Sequence, residues 1–272
     1  MAGRPASAGS EVARLRRLTA AGAAFAVAAS AGPAWAGAWT QPKGQGQVIV
    51  KYETLRATEG FAPQGERRPL PAERRDSALG LFAEYGVTDR LSLQLKADWQ
   101  DGEDAFVDYQ GRGPIEVGAV WRVWRDDRVA VSLYGGYANG GQGRNAGYAA
   151  PGVGEHDWEV RASAGRDFSE AGRQLGLGRP FMEVQAARRF RDGLPDETRL
   201  DATVGARFNG DWMVLGQAFG GAADGGARWL SVETSLVRDF GAWSAQAGWR
   251  QTIAGRETPV AGGAVLAVWR RF

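Results

Sequence analysis

Charged side chains recur at every second position in several segments of this 272-residue chain. Lys96 and Asp98 are spaced in this way, and so are Glu159 and Arg161. Side chains two residues apart point to the same face of a β-strand, so the members of each pair share one face. Opposite charges on such a face can form ion pairs, or they can line a water-filled passage for small charged solutes.

A catalytic centre would need other residues, and the chain offers few of them. It has one histidine, His156, and no cysteine. An acyl-transfer site needs a nucleophile within hydrogen-bonding reach of such a base, and the sequence places no serine beside His156. The composition also excludes the common zinc and thiolate metal sites. We expect no enzyme, no cofactor and no metal; a lipid hydrolase that uses His156 at an outer rim is the alternative.

The elements that must position these charges are β-strands. Residues 91–99 read Leu-Ser-Leu-Gln-Leu-Lys-Ala-Asp-Trp, with apolar and polar side chains in strict alternation. Similar alternation predicts twelve strands. They span residues 46–56, 77–87, 90–100, 113–124, 128–138, 157–168, 180–190, 197–208, 211–220, 227–239, 242–252 and 260–272.

Full charges on the polar face of these strands decide between two all-β architectures. The core of a soluble sandwich does not tolerate them, whereas a closed barrel in a membrane has apolar side chains outside and polar ones inside. Short turns such as 125–128 follow the even-numbered strands, and longer loops such as 57–76 and 101–112 follow the odd-numbered ones. We therefore predict an all-β, transmembrane, antiparallel up-and-down β-barrel of about twelve strands with both termini periplasmic. Ten to fourteen strands, and a soluble sandwich, stay open.

Parity along each predicted strand identifies the residues that would face the lumen. Two interpretations of this set remain open: the charges line a water-filled pore, with arginines that orient anionic solutes, or they pair across strands and close the lumen. The predicted lumen-lining residues are Lys51, Glu53, Glu84, Lys96, Asp98, Glu116, Arg122, Glu159, Arg161, Glu183, Arg189, Arg199, Asp201, Arg207, Glu233 and Arg250.

Residues 1–36 read as a secretory leader. Three arginines between residues 14 and 17 precede an apolar run from Leu18 to Ala31, and Ala34-Trp35-Ala36 forms a small-residue cleavage site. Cleavage after Ala36 would leave a single domain, residues 37–272. That domain carries 29 basic and 30 acidic residues, so the basic character of the whole chain gives no support to nucleic-acid binding.

Aromatic residues gather near the predicted strand ends. Phe181, Trp243 and Phe272 lie at one set of ends, and Tyr52 and Trp99 lie at the other. Two such bands are typical of the aromatic girdles at the lipid–water boundaries of a membrane barrel.

The leader, the alternating strands, the girdles and a last strand that ends on Phe272 together resemble bacterial outer-membrane β-barrel proteins. The resemblance implies a place in the outer membrane, among its lipids and lipopolysaccharide. It also implies that Phe272 belongs to the insertion signal read by the barrel-assembly machinery. The segment 39–44 resembles the start of uncharacterised proteobacterial barrels of the porin type. Arg270 departs from the pattern because it takes the lipid-facing parity, where it can snorkel to the interface.

These observations favour a narrow channel or porin for small polar or anionic solutes. A structural or surface-interaction barrel with a plugged lumen and functional external loops is the alternative, and the rim hydrolase is the third candidate. The first predicted external loop carries four arginines that could contact lipopolysaccharide, namely Arg67, Arg68, Arg74 and Arg75. The acids of the second lack the spacing of a calcium loop, which favours a solvated surface. The solute is not identified by the sequence.

Overall fold

The computed structural model of the protein describes residues 37–106, 108–141, 154–170, 172, 178–208 and 210–272. Antiparallel β-strands make up most of this part of the chain, and the predicted leader lies outside it. The strands are β1 (Gly46–Phe61), β2 (Arg67–Thr88), β3 (Leu91–Glu103), β4 (Asp108–Arg125), β5 (Val129–Asn139), β6 (His156–Asp167), β7 (Arg179–Phe190), β8 (Glu197–Phe208), β9 (Trp212–Ala223), β10 (Arg228–Phe240), β11 (Trp243–Arg256), β12 (Thr258–Pro259) and β13 (Gly262–Arg271).

The sheet closes on itself into a barrel. β1 pairs with β2 on one side and with β13 on the other, so the first and the last long strands meet. β12 has two residues and extends the same edge beside Gly60 and Phe61. The described residues thus form a closed antiparallel barrel of twelve long strands, as predicted. In the same residues no helix is long and apolar enough to cross a bilayer.

The alternation in the sequence becomes an inside and an outside. On β3, Leu93 and Trp99 are 50% and 54% exposed on the outer surface, whereas Ser92 and Gln94 are buried on the inner one. The described sheet closes because β1 pairs with both β2 and β13, and closure is what a bilayer requires of strands that cross it. The outer surface is therefore apolar and the lumen polar.

Two predicted loops are wrong, because the strands continue through them. β1 and β2 stay paired as far as Phe61 and Arg67, where residues 57–76 were expected to form a loop. β3 and β4 likewise stay paired as far as Glu103 and Asp108, within the expected loop 101–112. Beyond the membrane both faces of a strand meet water, so polar and apolar residues no longer alternate although the hydrogen-bond ladder persists.

The aromatic girdles follow the prediction with one correction. Trp243 and Phe272 are exposed at the end with the short turns, and Tyr52 and Trp99 are exposed at the other. Phe181 is instead buried inside the barrel, because its odd position on β7 takes the inward parity. Girdle aromatics also hold outward arginines by cation–π contacts: the Arg270 guanidinium lies 5.2 Å from the centre of the Trp243 ring.

The start of β1 and the C-terminal residue Phe272 lie at the end of the barrel that carries the short turns. Phe272 and Gly46 exchange backbone hydrogen bonds of 3.0 and 2.8 Å, and the backbone N–H of Gly44 donates to the carbonyl of Gly86 near the end of β2. In the turn between β4 and β5, Asp126 accepts backbone hydrogen bonds from Arg128 and Val129, which hold the pKa of its carboxyl below its usual value.

An arginine in the middle of the outer surface tests whether lipid covers this barrel. Leu236 lies at the centre of β10 and is 46% exposed. We expect Leu236→Arg to lower the free energy of unfolding by about 2–4 kcal/mol in lipid vesicles, because a charge at the bilayer midplane loses its hydration. Denaturant titration monitored by tryptophan fluorescence measures it, with Leu236→Met as the control. Equal stability of the two variants would contradict a lipid-facing position.

Candidate functional site

One inner wall of the barrel carries a buried cluster of ion pairs, here called the wall cluster: Lys96, Glu116, Glu159, Arg161 and Arg189. Arg189 on β7 contacts both carboxylates, with 2.6 Å from its Nη2 to Glu159 Oε2 and a close contact to Glu116 Oε2. Lys96 Nζ lies 2.9 Å from Glu116 Oε1, and Arg161 Nη2 lies 2.5 Å from Glu159 Oε1. Three cations thus share two acids that lie on β4 and β6, on either side of β5.

Tyr134 completes the wall cluster. Its hydroxyl donates a 2.7 Å hydrogen bond to Glu116 Oε1, and the Arg161 guanidinium lies 4.4 Å from the centre of its ring. Tyr134 is buried on the inward parity of β5. Tyr134 is not among the predicted lumen-lining residues, although its inward parity on a polar face of β5 is a signal in the sequence.

A second cluster lies on the opposite part of the sheet, formed by Arg250, Glu53, Glu233 and Lys51. Arg250 donates from Nη1 to Glu53 at 3.1 Å and from Nη2 to Glu233 at 2.7 Å. Lys51 Nζ lies 3.0 Å from Glu53 Oε2. The Arg250 guanidinium also stacks 4.5 Å from the centre of the Phe219 ring. Both side chains line the cavities of the lumen.

Each end of the lumen has its own ion pairs, and several members were not predicted. At the end with the short turns, Asp239 binds Arg207 and also Arg271, the latter at 3.0 Å. At the other end, Glu197 binds Arg199 and also Arg191, the latter at 3.2 Å. The predicted arginines are therefore distributed among separate clusters instead of forming one continuous row.

The remaining predicted lumen residues have no such ion pair in the described part of the chain. Glu84 accepts hydrogen bonds from the side-chain amides of three glutamines, and Asp98 accepts one from Gln100. Arg122 lies on the same inner face of β4 as buried Val120. Asp201 lies on the same face of β8 as Arg199. Glu183 accepts hydrogen bonds from the backbone of Ala38 and the side-chain amide of Gln185.

The chain before β1 folds back into the barrel. The backbone of Ala38 donates to Glu183 Oε2 at 3.0 Å and accepts from Ser132 Oγ at 2.6 Å. The backbone N–H of Gln41 donates to Ser92 Oγ at 2.9 Å, and its side-chain amide donates to Glu84 Oε2 at 3.1 Å. These contacts reach β2, β3, β5 and β7, so residues 37–42, the N-terminal segment, lie across the lumen at the end with the short turns.

Trp39 anchors the N-terminal segment against an apolar inner surface. It packs with Ile49 against a buried cluster within the lumen, formed by Phe181, Met213, Leu215, Val237, Ala267 and Trp269. A side chain at Gly165 on β6 would overlap the Trp39 ring, so this inward glycine provides the space for the indole. The N-terminal segment and the apolar cluster together fill this end of the barrel.

Space remains in the rest of the lumen. Two cavities, of about 550 and 560 Å³, share the lining residues Asp98, Pro114, Arg199, Phe219 and Arg250, and therefore adjoin. The outer cavity opens toward the long strand extensions beside Arg74 and Tyr109. The inner cavity reaches Lys51, Lys96 and Trp269, and it ends at Trp39 of the N-terminal segment.

His156 lies away from this lumen. It is exposed at the start of β6 on the parity of Trp158, which faces outward. Its Nδ1 lies 2.6 Å from the hydroxyl of Tyr137, and the two rings stack with centres 6.1 Å apart. Among the described residues its hydrogen-bonding partner is therefore a tyrosine, not a serine.

A closed twelve-stranded barrel with an apolar exterior, aromatic girdles and a charged lumen defines a transmembrane barrel of the outer-membrane class. The chain matches the family described as "Outer membrane protein beta-barrel domain" over residues 18–208, more than half of its length, and it belongs to that family. It is a protein of the bacterial outer membrane. No curated protein matches its sequence.

Solved structures share this fold at low sequence identity. The COG4313 outer membrane channel from Pseudomonas putida F1 has a TM-score of 0.61 and 16% identity, over 86% of this chain and 98% of that one. The KdgM porin in complex with disordered oligogalacturonate has a TM-score of 0.53 and 7% identity, over 83% and 99%. The translocator domain of the autotransporter NalP from Neisseria meningitidis has a TM-score of 0.52 and 11% identity, over 85% of this chain and 90% of that one. These identities show the fold alone.

Proposed function

We propose that the protein is a narrow channel for small polar or anionic solutes, lined by inward arginines and carboxylates. The observation that carries this proposal is the pair of adjoining cavities, whose shared lining includes Asp98, Arg199 and Arg250. A lumen lined by both signs of charge replaces part of the hydration of a small polar solute. Two of the similar structures are described as a channel and a porin.

The lining residues would have two different roles, one structural and one in contact with solute. Glu116, Glu159 and Arg189 of the wall cluster are buried and paired with one another, so their role is to hold β4, β6 and β7 in place. Solute would instead meet charges at the cavity surface, where the Lys51 and Lys96 side chains keep 35% and 38% of their exposure. Asp98, Arg199 and Arg250 complete this contact set.

Ion selectivity measures the proposed lining directly. Lys51→Gln removes a positive charge from the inner cavity and Asp98→Asn removes a negative one. We expect discrete conductance steps in planar bilayers, with the reversal potential in a KCl gradient shifted toward cation preference in Lys51→Gln and toward anion preference in Asp98→Asn. Arg68→Gln, at the exposed tip of the β1–β2 hairpin beside Glu66, is the control. It should leave the reversal potential unchanged. Correctly folded protein without conductance would refute the channel.

A barrel with a plugged lumen is the second candidate, and the N-terminal segment is the observation that favours it. In that case the long β1–β2 and β3–β4 hairpins would carry the function through surface contacts. Their arginines are engaged by neighbouring acids, as in the 3.0 Å pair of Arg75 with Glu73. The same acids and arginines would bind lipopolysaccharide phosphates only after exchanging these partners. We propose no enzymatic role for His156.

Export and insertion complete the proposal. A leader peptidase would cleave after Ala36, leaving residues 37–272 as the mature chain. Short turns are periplasmic in outer-membrane barrels, so both ends of the mature chain would face the periplasm. Phe272, which is 57% exposed at that end, would belong to the signal recognised by the barrel-assembly machinery.

A further inference from the structure

We propose that Glu183 is a binding site for a primary ammonium group, namely the α-ammonium that forms on Gly37 when the leader is removed. The inference rests on the proposed cleavage after Ala36 and extends it: removal of the leader would itself create the charge that fixes the N-terminal segment across the lumen.

Glu183, like Glu84, is a buried inner-wall carboxylate without an ion pair in the described part of the chain. It is 5% exposed, and its hydrogen-bond donors are the backbone of Ala38 and the side-chain amide of Gln185. In the described part of the chain no lysine or arginine lies within 4 Å of it, whereas buried Glu116, Glu159 and Glu233 each bind an arginine. A buried carboxylate without a cation is unfavourable.

Gly37 brings the chain against this carboxylate. A Cβ at Gly37 would overlap Glu183 Oε1 and the side-chain amide of Gln185, so its α-carbon already contacts both groups. Its φ of 104° lies in the left-handed region, where glycine is favoured. The next residue, Ala38, is fully buried and donates to the other oxygen, Oε2, at 3.0 Å. The α-carbon bonded to the atom that would become the N-terminus therefore adjoins the Glu183 carboxylate.

Cleavage changes the chemistry of that atom. Hydrolysis of the Ala36–Gly37 peptide bond consumes one water and gives a carboxylate on Ala36 and an amine on Gly37. An α-amine has an ordinary pKa of about 7.7–8.0 and is largely protonated at neutral pH. One amide N–H is thereby replaced by a cation with three donors, which is the counter-ion that Glu183 lacks. Before cleavage no such charge exists, so the N-terminal segment would be held less firmly.

Amine labelling tests this pairing cleanly because the mature chain would contain few primary amines. They are those of Gly37, Lys43, Lys51 and Lys96. We expect the α-amine of folded mature protein to be acetylated by an N-hydroxysuccinimide ester about tenfold more slowly than in urea-unfolded protein, as one pK unit of stabilisation implies. In Glu183→Gln the folded and unfolded rates should agree within about twofold. Peptide mass spectrometry reports each amine separately.

Two comparisons separate the ion pair from general loosening of the segment. Glu84→Gln removes the acid that binds Gln41 of the same segment and should leave the α-amine protected. A chain that begins at Ala36 displaces the ammonium by one residue and should lose protection with Glu183 intact. Equal labelling rates in wild type and Glu183→Gln, or equal deprotection in Glu84→Gln and Glu183→Gln, would overturn the proposal.

The cleavage itself has an independent measurement. The intact mass of protein extracted from outer membranes should correspond to residues 37–272, and any other mass would refute cleavage after Ala36. Protein refolded from a chain that begins at Gly37 then still tests Glu183 as an ammonium site. Neither result depends on conductance, so failure of the channel proposal is recognised separately.

Discussion

Arg189→Met is expected to destabilise the folded barrel by about 3–5 kcal/mol, the loss typical when one partner of a buried ion pair is removed. Arg189 is 3% exposed, and it is the residue that joins Glu116 to Glu159. Methionine fills a similar volume without charge. Glu116 would then keep Lys96 and Glu159 would keep Arg161. Both carboxylates would lose the buried guanidinium that joins them.

Denaturant unfolding in lipid vesicles measures this loss, and two further variants identify its origin. Arg238→Met removes an outward arginine that stacks 5.0 Å from the Trp212 and Phe240 rings and should cost far less. The double variant Arg189→Met with Glu159→Gln should lose less stability than the sum of the two single variants, because Arg189 and Glu159 interact directly. Equal losses in Arg189→Met and Arg238→Met would contradict a structural role for the wall cluster.

The barrel could be predicted from the sequence because its main constraint has a period of two residues. Leu93 and Gln94 must lie on opposite faces of β3, and a bilayer outside requires the apolar face to be the outer one. Phe181 was assigned to the girdle incorrectly because its position near a strand end was given more weight than its parity, which is inward. Where lipid no longer touches the sheet, as at Phe61 and Arg67, the period disappears and the strand ends could not be predicted.

The partners of the inner charges could not be predicted from parity. Glu116 and Arg189 are 73 positions apart in the sequence and meet because of the stagger between neighbouring strands around the barrel. Stagger depends on bulges such as those between Ala97 and Trp99 and between Arg122 and Trp124. Single-sequence patterns do not reveal where an extra residue enters a ladder.

The N-terminal segment escaped prediction for a different reason. It has no alternation, since it is not a strand, and its hydrogen bonds go to side chains on four different strands. The one available signal was on the receiving side: Ser92, Ser132 and Gly165 place small residues on the inward parity near one end of the barrel. Small inward residues leave room for another piece of chain, as Gly165 does for Trp39.

The N-terminal segment is expected to have the largest effect on conductance. Trp39 joins the segment to the apolar cluster around Leu215 and Trp269, so Trp39→Gly should release it and raise the single-channel conductance severalfold. Trp249→Gly is the matched control, since this tryptophan is 58% exposed on the outer girdle. It should weaken the barrel without enlarging the conductance. Unchanged conductance in Trp39→Gly would show that the segment does not limit permeation.

A reversible cross-link turns the same segment into a switch that distinguishes the two candidate functions. Ser132 Oγ lies 2.6 Å from the carbonyl oxygen of Ala38, and the chain has no cysteine. Ala38→Cys with Ser132→Cys would introduce the two cysteines of the chain, and the mass before and after reduction shows whether they form a disulfide. For a channel, the oxidised protein should keep the low wild-type conductance. After reduction, the double-cysteine protein should show conductance steps as large as those of Trp39→Gly only if the N-terminal segment leaves the lumen spontaneously. No current from either the oxidised protein or wild type, with current in Trp39→Gly, would instead identify a barrel that the N-terminal segment plugs.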